Sequence, residues 1–137
     1  MLTKAMFYPT LPASDIERAQ RFYSDTLGFD LIKGTGDPGG VFYRIGDQVL
    51  FVYKTATPRG GNTALSFVVD DLDAEMTELR AKGVAFEDYD MPGLKTEGGV
   101  AEFDGMRTAW FKDSEDNILN IQQPSAEQAR VMREAFK

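Results

Sequence analysis

ASDIERAQRFYSDTLGFDL, residues 13–31, has the pattern of a capped amphipathic helix closed by a glycine and followed by a strand. Ser14 is placed to open a helix, and Glu17 stands three residues on to complete a capping box. Ile16, Ala19, Phe22, Tyr23 and Thr26/Leu27 recur at helical spacing, which predicts one apolar face. Glu17 and Arg21 form an i,i+4 pair on the opposite, wet side. Gly28 then ends the helix, because only glycine takes the left-handed cap without penalty. Downstream, residues 29–33, 41–45 and 49–53 read as three strands, with turns at 36–40 and at Gly46-Asp47. Upstream, residues 6–11 read as a strand. Pro9 and Pro12 remove ladder donors there, so the strand belongs at an edge, a bulge or a strand end.

The same order of elements then restarts. Residues 55–62 hold Pro58, Gly60 and Gly61 with few apolar side chains and read as a linker. Residues 64–69 read as a strand. Asp70 or Asp71 caps a helix with Leu72, Met76 and Leu79 on one face, and Gly83 ends it. Residues 84–89 read as a strand, and a long loop is expected from about 90 to 105. Strands at 107–111 and 118–122 follow. Ser125 caps a last amphipathic helix, 126–136, with Ala129, Met132 and Phe136 on one side. Asp15-Ile16 returns as Asp71-Leu72, 56 residues later, and Leu27-Gly28 returns as Lys82-Gly83 after 55. The expected fold is therefore α+β: two βαβββ repeats forming a curved, open mixed-sheet barrel, plus a C-terminal helix. A single domain is expected, with module one at about 5–54, the linker at 55–62, module two at about 63–123 and the helix at about 125–137.

Composition removes several function classes. The 137 residues contain no cysteine and no histidine. Disulfides, thiolate chemistry, Ser-His-Asp or Cys-His catalysis and imidazole-based metal sites are excluded with them. A net charge of −7, with Lys and Arg scattered singly, offers no basic stripe for nucleic acid. No apolar run approaches the roughly 20 residues that span a bilayer. The N-terminus lacks the apolar core of a secretory signal, so a cytoplasmic location is expected.

Three stretches carry a resemblance. Residues 13–31 are similar to the first helix of the vicinal-oxygen-chelate superfamily (glyoxalases, bleomycin-resistance proteins, extradiol dioxygenases), with its D-x-x-x-A-x-x-F-Y-x-x-x-L-G-F pattern. SFVVDDLDAEMTELRAKGVAFE, residues 66–87, resembles the second helix. TAWFKDSEDNILNIQQ, residues 108–123, resembles the closing hairpin F-x-D-P-D-G-N-x-x-E-L. The resemblance runs from about residue 5 to 123 and speaks for the fold rather than for one activity. It implies four inward metal-binding positions, which fall here on Tyr8, Phe51, Ala64 and Asn120. Phe and Ala offer no donor atom, and Asn and Tyr make a weak remainder. The hairpin also carries Asp116 where the family has Gly, a residue that tolerates left-handed geometry.

The function expected is metal-independent binding of a small organic molecule, with no cofactor, no catalytic residue and a homodimeric assembly. The ligand-binding residues expected are Tyr8, Phe51, Tyr53, Ala64, Ser66, Trp110, Asn120 and Gln122, acting by stacking and hydrogen bonds. Two rival readings stand beside it. One is a metal-dependent lyase, isomerase or dioxygenase using unusual oxygen ligands such as Glu97 or Glu102, with Asp104 nearby. The other is a structural or partner-binding role with no small-molecule site. Gly98-Gly99 reads either as a hinge for a lid or as an ordinary turn.

Overall fold

The computed structural model describes residue 3 and residues 8–33, 39–56 and 62–135, the side chains of 132, 134 and 135 excepted. The first two residues of the expected strand at 6–11, most of the glycine turn at 36–40, most of the linker and the apolar side chains Met132 and Phe136 lie outside the described residues. The chain folds into two compact units. One holds the described residues up to 56 together with Asp113–Asn117, and the other holds Asn62–Lys112 and the described residues from Ile118 onward.

The first unit is built from β1 (Thr10–Ala13), α1 (Ile16–Arg21), a π-helical turn (Phe22–Thr26), β2 (Asp30–Ile32), β3 (Gly40–Ile45) and β4 (Gln48–Lys54). Its sheet runs β1-β4-β3-β2, with β1 parallel to β4 and the other pairs antiparallel. The alternation of β4 sorts its faces. Leu50 and Val52 are buried and pack with Leu11, Ala19, Tyr23 and Tyr43, while Phe51 and Tyr53 point to the other face and stay half-buried. Each fully buried large side chain contributes roughly 1.5–3 kcal/mol.

The second unit repeats this arrangement. It contains β5 (Thr63–Val68), α2 (Leu72–Ala81), a small hairpin of β6 (Asp90–Met91) and β7 (Leu94–Lys95), then β8 (Val100–Phe103), β9 (Met106–Lys112), β10 (Ile118–Gln123) and α3 (Ala126–Ala135). Its sheet runs β5-β10-β9-β8, with β5 parallel to β10. Both sheets are open, four-stranded and mixed, as two βαβββ repeats require. Leu72 and Met76 of α2 join Ala109, Phe111, Leu119 and Ile121 in the core of this unit. Ser125 caps α3 reciprocally: its hydroxyl accepts from the Gln128 N–H at 3.2 Å, and the Gln128 side chain accepts from the Ser125 N–H at 2.8 Å.

Several local expectations are corrected. The cap of α1 is Asp15, whose Oδ1 accepts the Arg18 N–H at 3.0 Å, and Ser14 instead donates to Glu115. Of the two expected candidates for the cap of α2, Asp70 and Asp71, it is Asp71 that accepts the Ala74 N–H. The helix does not run on evenly to Gly28. Its last turn widens, with the Leu27 N–H reaching Phe22 O, before Gly28 takes φ 73°. Residues 84–89 do not form a strand. β8, from inside the expected loop, takes the edge of β9 over Met106–Ala109, leaving only a bridge from Phe86 to Phe111 and a bond from the Glu87 N–H to Trp110 O. The local turn decides this contest. Asp104 and Gly105 both have positive φ, the geometry of a two-residue hairpin turn that folds β8 directly onto β9.

The loop bearing Gly98-Gly99 is a tight turn rather than a hinge. Glu97 and Val100 exchange both backbone bonds across it, and both glycines have positive φ. Asp88 ties it down, accepting from the Thr96 hydroxyl at 2.8 Å and the Gly99 N–H at 2.9 Å. Arg80 closes the other side by donating to Gly98 O at 3.0 Å.

The turn Asp113–Asn117 is a polar knot within the first unit. Asp113 Oδ1 accepts the backbone N–H groups of Glu115 and Asn117, both at 2.8 Å. Its Oδ2 accepts the buried Tyr23 hydroxyl at 2.6 Å. The Asn117 amide donates to Asp113 and to Pro12 O. Glu115 accepts from the Asp15 N–H and takes the Arg18 guanidinium as a fork, at 2.6 and 3.0 Å. Asp116 adopts φ 64°, so aspartate does here what the family's glycine does.

Candidate functional site

The sheet of the first unit carries four aromatic rings on the face away from α1. Phe42 and Phe51 are register partners on β3 and β4, and their rings stack at 4.4 Å with a 27° tilt. Phe51 and Tyr53 stack along β4 at 6.3 Å. Tyr8 stands edge-on to both phenylalanines, at 5.3 and 6.1 Å. The result is a row of parallel rings met at right angles by a fourth. Tyr8 is 45% exposed and the other three are half-buried, so the wall keeps a solvated surface. Gly40 makes room for it. A Cβ there would lie 2.2 Å from Val52 O and 2.9 Å from Phe51 Cε1. Tyr8, Phe51 and Tyr53 are thus brought together as the sequence predicts. Phe42 was not foreseen, although its place opposite Phe51 follows from pairing the two strands across the Gly46-Asp47 turn.

On the second unit, Ser66, Asn120 and Trp110 form one row across β5, β10 and β9, and Gln122 sits beside them, between Val68 and Thr108. Ala64 lies farther along β5, beyond the irregularity between Ile118 and Leu119, and is exposed, as is Ser66. Trp110 and Gln122 are half-buried, and Trp110 meets Tyr89 edge-on at 5.6 Å. Asn120 is buried. Its amide nitrogen donates to the Thr108 hydroxyl in a short contact and to Ala109 O at 3.2 Å. Thr108 is the second residue that sequence reasoning missed, since its role depends on the diagonal approach of two strands.

The four positions implied for metal do not fit one. Phe51 and Ala64 have no donor atom, which leaves only two neutral oxygens, the Tyr8 hydroxyl and the Asn120 amide, and no anionic ligand. Glu97 and Glu102 do come together, lining a recess of about 400 Å³ with Lys95, Val100 and Arg107. Two cationic side chains in the same recess oppose a metal ion. Arg107 is also engaged by Asp73 as a fork at 2.9 and 3.0 Å, which holds the Asp73 carboxyl below its ordinary range. Among the described residues no group of three Asp, Glu, His or Cys side chains is placed to hold a metal. Among them, too, no helix is long and apolar enough to cross a membrane.

Comparison with known proteins agrees with this architecture. The family model for the Glyoxalase/Bleomycin resistance protein/Dioxygenase superfamily matches residues 5–121. The solved structure of TnmS3, an antibiotic binding protein from Streptomyces sp. CB03234, is similar at 28% identity and a TM-score of 0.67, covering 89% of this chain and 98% of that one. Lactoylglutathione lyase from Agrobacterium tumefaciens is similar at 20% identity and a TM-score of 0.63, with 88% and 93% covered. The fosfomycin resistance protein FosX from Listeria monocytogenes shares 14% identity with a TM-score of 0.68, covering 95% and 98%. The last two likenesses concern the fold alone.

Proposed function

Because the chain belongs to the glyoxalase/bleomycin resistance protein/dioxygenase superfamily, we propose that it is one of its small-molecule binders and that it binds without a metal. The observation that carries this reading is the aromatic wall. Tyr8 and Phe51, which stand where the family resemblance implies metal ligands, are instead packed ring to ring with Phe42 and Tyr53. Such a surface attracts planar, largely apolar molecules by stacking and by burial of ring area. The ligand-contacting residues in this reading are Tyr8, Phe51 and Tyr53 on the first unit and Ala64, Ser66, Trp110, Asn120 and Gln122 on the second. The likeness to an antibiotic binding protein at 28% identity supports a natural-product-like ligand. Sequestration needs no acid, base or nucleophile, which suits a chain without His or Cys. The protein is proposed to act as a cytoplasmic homodimer.

Thermal-shift screening of planar aromatic and heteroaromatic compounds, with and without EDTA, tests the proposal. Ligands are expected to raise the melting temperature equally in both conditions, and Phe51→Ala is expected to lose most of the shift. Binding that disappears with EDTA, or that ignores Phe51→Ala, overturns it. Native mass spectrometry of the same preparation reads subunit number.

A further inference from the structure

Asn120 is 5% exposed, and its amide orientation is fixed by its surroundings. The Ala109 carbonyl that its nitrogen meets at 3.2 Å can only accept. The Thr108 hydroxyl donates its own proton to Ile121 O at 3.3 Å and so also acts as an acceptor toward Asn120. Both N–H bonds of the amide are therefore used. A flipped amide would set its oxygen 3.2 Å from the Ala109 carbonyl oxygen, which can only accept, and this repulsion disfavours that orientation. The oxygen, Oδ1, is left without a donor among the described residues. Yet none of their side-chain polar atoms is both withdrawn from solvent and unpaired. Oδ1 therefore keeps an opening to solvent, while most of its side chain is enclosed.

We infer that Asn120 presents a fixed hydrogen-bond acceptor to the ligand, so that the compounds this protein selects carry an O–H or N–H donor on an aromatic frame. The inference rests on the ligand-binding reading above and narrows it. Trp110, the register partner of Asn120, supplies ring surface beside the acceptor. Phenols, anilines and N–H heteroaromatics match both features, and their methylated counterparts match only one. A ligand without the donor strips water from Oδ1 and returns nothing, which is how a buried polar group enforces choice. Thr108 acts as a positioning residue, since its hydroxyl holds the amide in this orientation.

Isothermal titration calorimetry with two matched pairs, 1-naphthol against 1-methoxynaphthalene and indole against 1-methylindole, reads the effect. The parent is expected to favour the donor of each pair by about tenfold. Asn120→Leu is expected to bind both members about equally. Thr108→Val, with its amide freed, is expected to lose part of the preference, and Thr108→Ser to restore it. If both members bind the parent equally, or Asn120→Leu keeps the preference, the inference is overturned and the ligand-binding reading stands. If no probe binds, that reading falls and takes the inference with it. Should Asn120→Leu fail to fold, an undiminished preference in Thr108→Val refutes the assigned orientation.

Discussion

Replacing Glu115 with glutamine probes the polar knot that anchors α1. The Glu115 side chain is fully enclosed and meets the half-exposed Arg18 guanidinium at 2.6 Å. Burial alone would raise its pKa. The Arg18 fork, the Asp15 N–H and the Ser114 hydroxyl outweigh that and hold the carboxyl at about 2 against an ordinary 4.5. At about 1.4 kcal/mol per pH unit, this difference corresponds to roughly 3 kcal/mol of folding stability. Arg18 is 46% exposed, and screening by solvent brings the expected contribution nearer 2 kcal/mol. Because the folded pKa lies below the unfolded one, the contribution is fully present above pH 4.5 and is lost as pH falls toward 2. Urea unfolding followed by circular dichroism at pH 7, 5, 4, 3 and 2.5 measures it. Glu115→Gln is expected to be less stable by about 2 kcal/mol at pH 7, and the gap to the parent is expected to close as pH falls from 4.5 toward 2. Taking the difference between the two proteins removes the contribution of every other carboxylate. Parallel stability curves across that range would refute the assignment of the stabilisation to Glu115.

Three other perturbations test neighbouring claims. Gly40→Ala puts a methyl 2.2 Å from Val52 O, so it is expected to destabilise the fold by roughly 1–3 kcal/mol in the same unfolding assay and to weaken ligand binding through Phe51. Tyr23→Phe removes the 2.6 Å donor to Asp113 while keeping the ring, and a loss of about 1–2 kcal/mol is expected by thermal or urea unfolding. Gly99→Ala forces a side chain onto φ 82° with its Cβ 3.0 Å from the Phe86 Cβ. It is expected to cost about 1–2 kcal/mol and to speed amide exchange in the 96–100 turn, read by hydrogen–deuterium exchange.

The repeated order of helix, glycine stop and strands was legible in the sequence because each signal is local. Apolar spacing marks α1 and α2, Gly28 and Gly83 end them with positive φ, and alternation marks β4 and β9. The aromatic wall was legible in part for the same reason: residues two apart on one strand share a face, so Phe51 implies Tyr53. What the sequence could not show were outcomes of competition and of approach between distant segments. Residues 84–89 have strand-like alternation, but β8 holds the β9 edge because the turn at Asp104-Gly105 folds it back at once. Ser14 and Asp15 are both good caps, and Glu115, 100 residues away, settles the choice by taking the Ser14 hydroxyl and the Asp15 N–H. The orientation of Asn120 depends on Thr108 and the Ala109 carbonyl, which only the antiparallel register of β9 and β10 brings within reach. Periodicity determines which face a residue takes, whereas hydrogen-bond direction depends on partners that only the folded chain assembles.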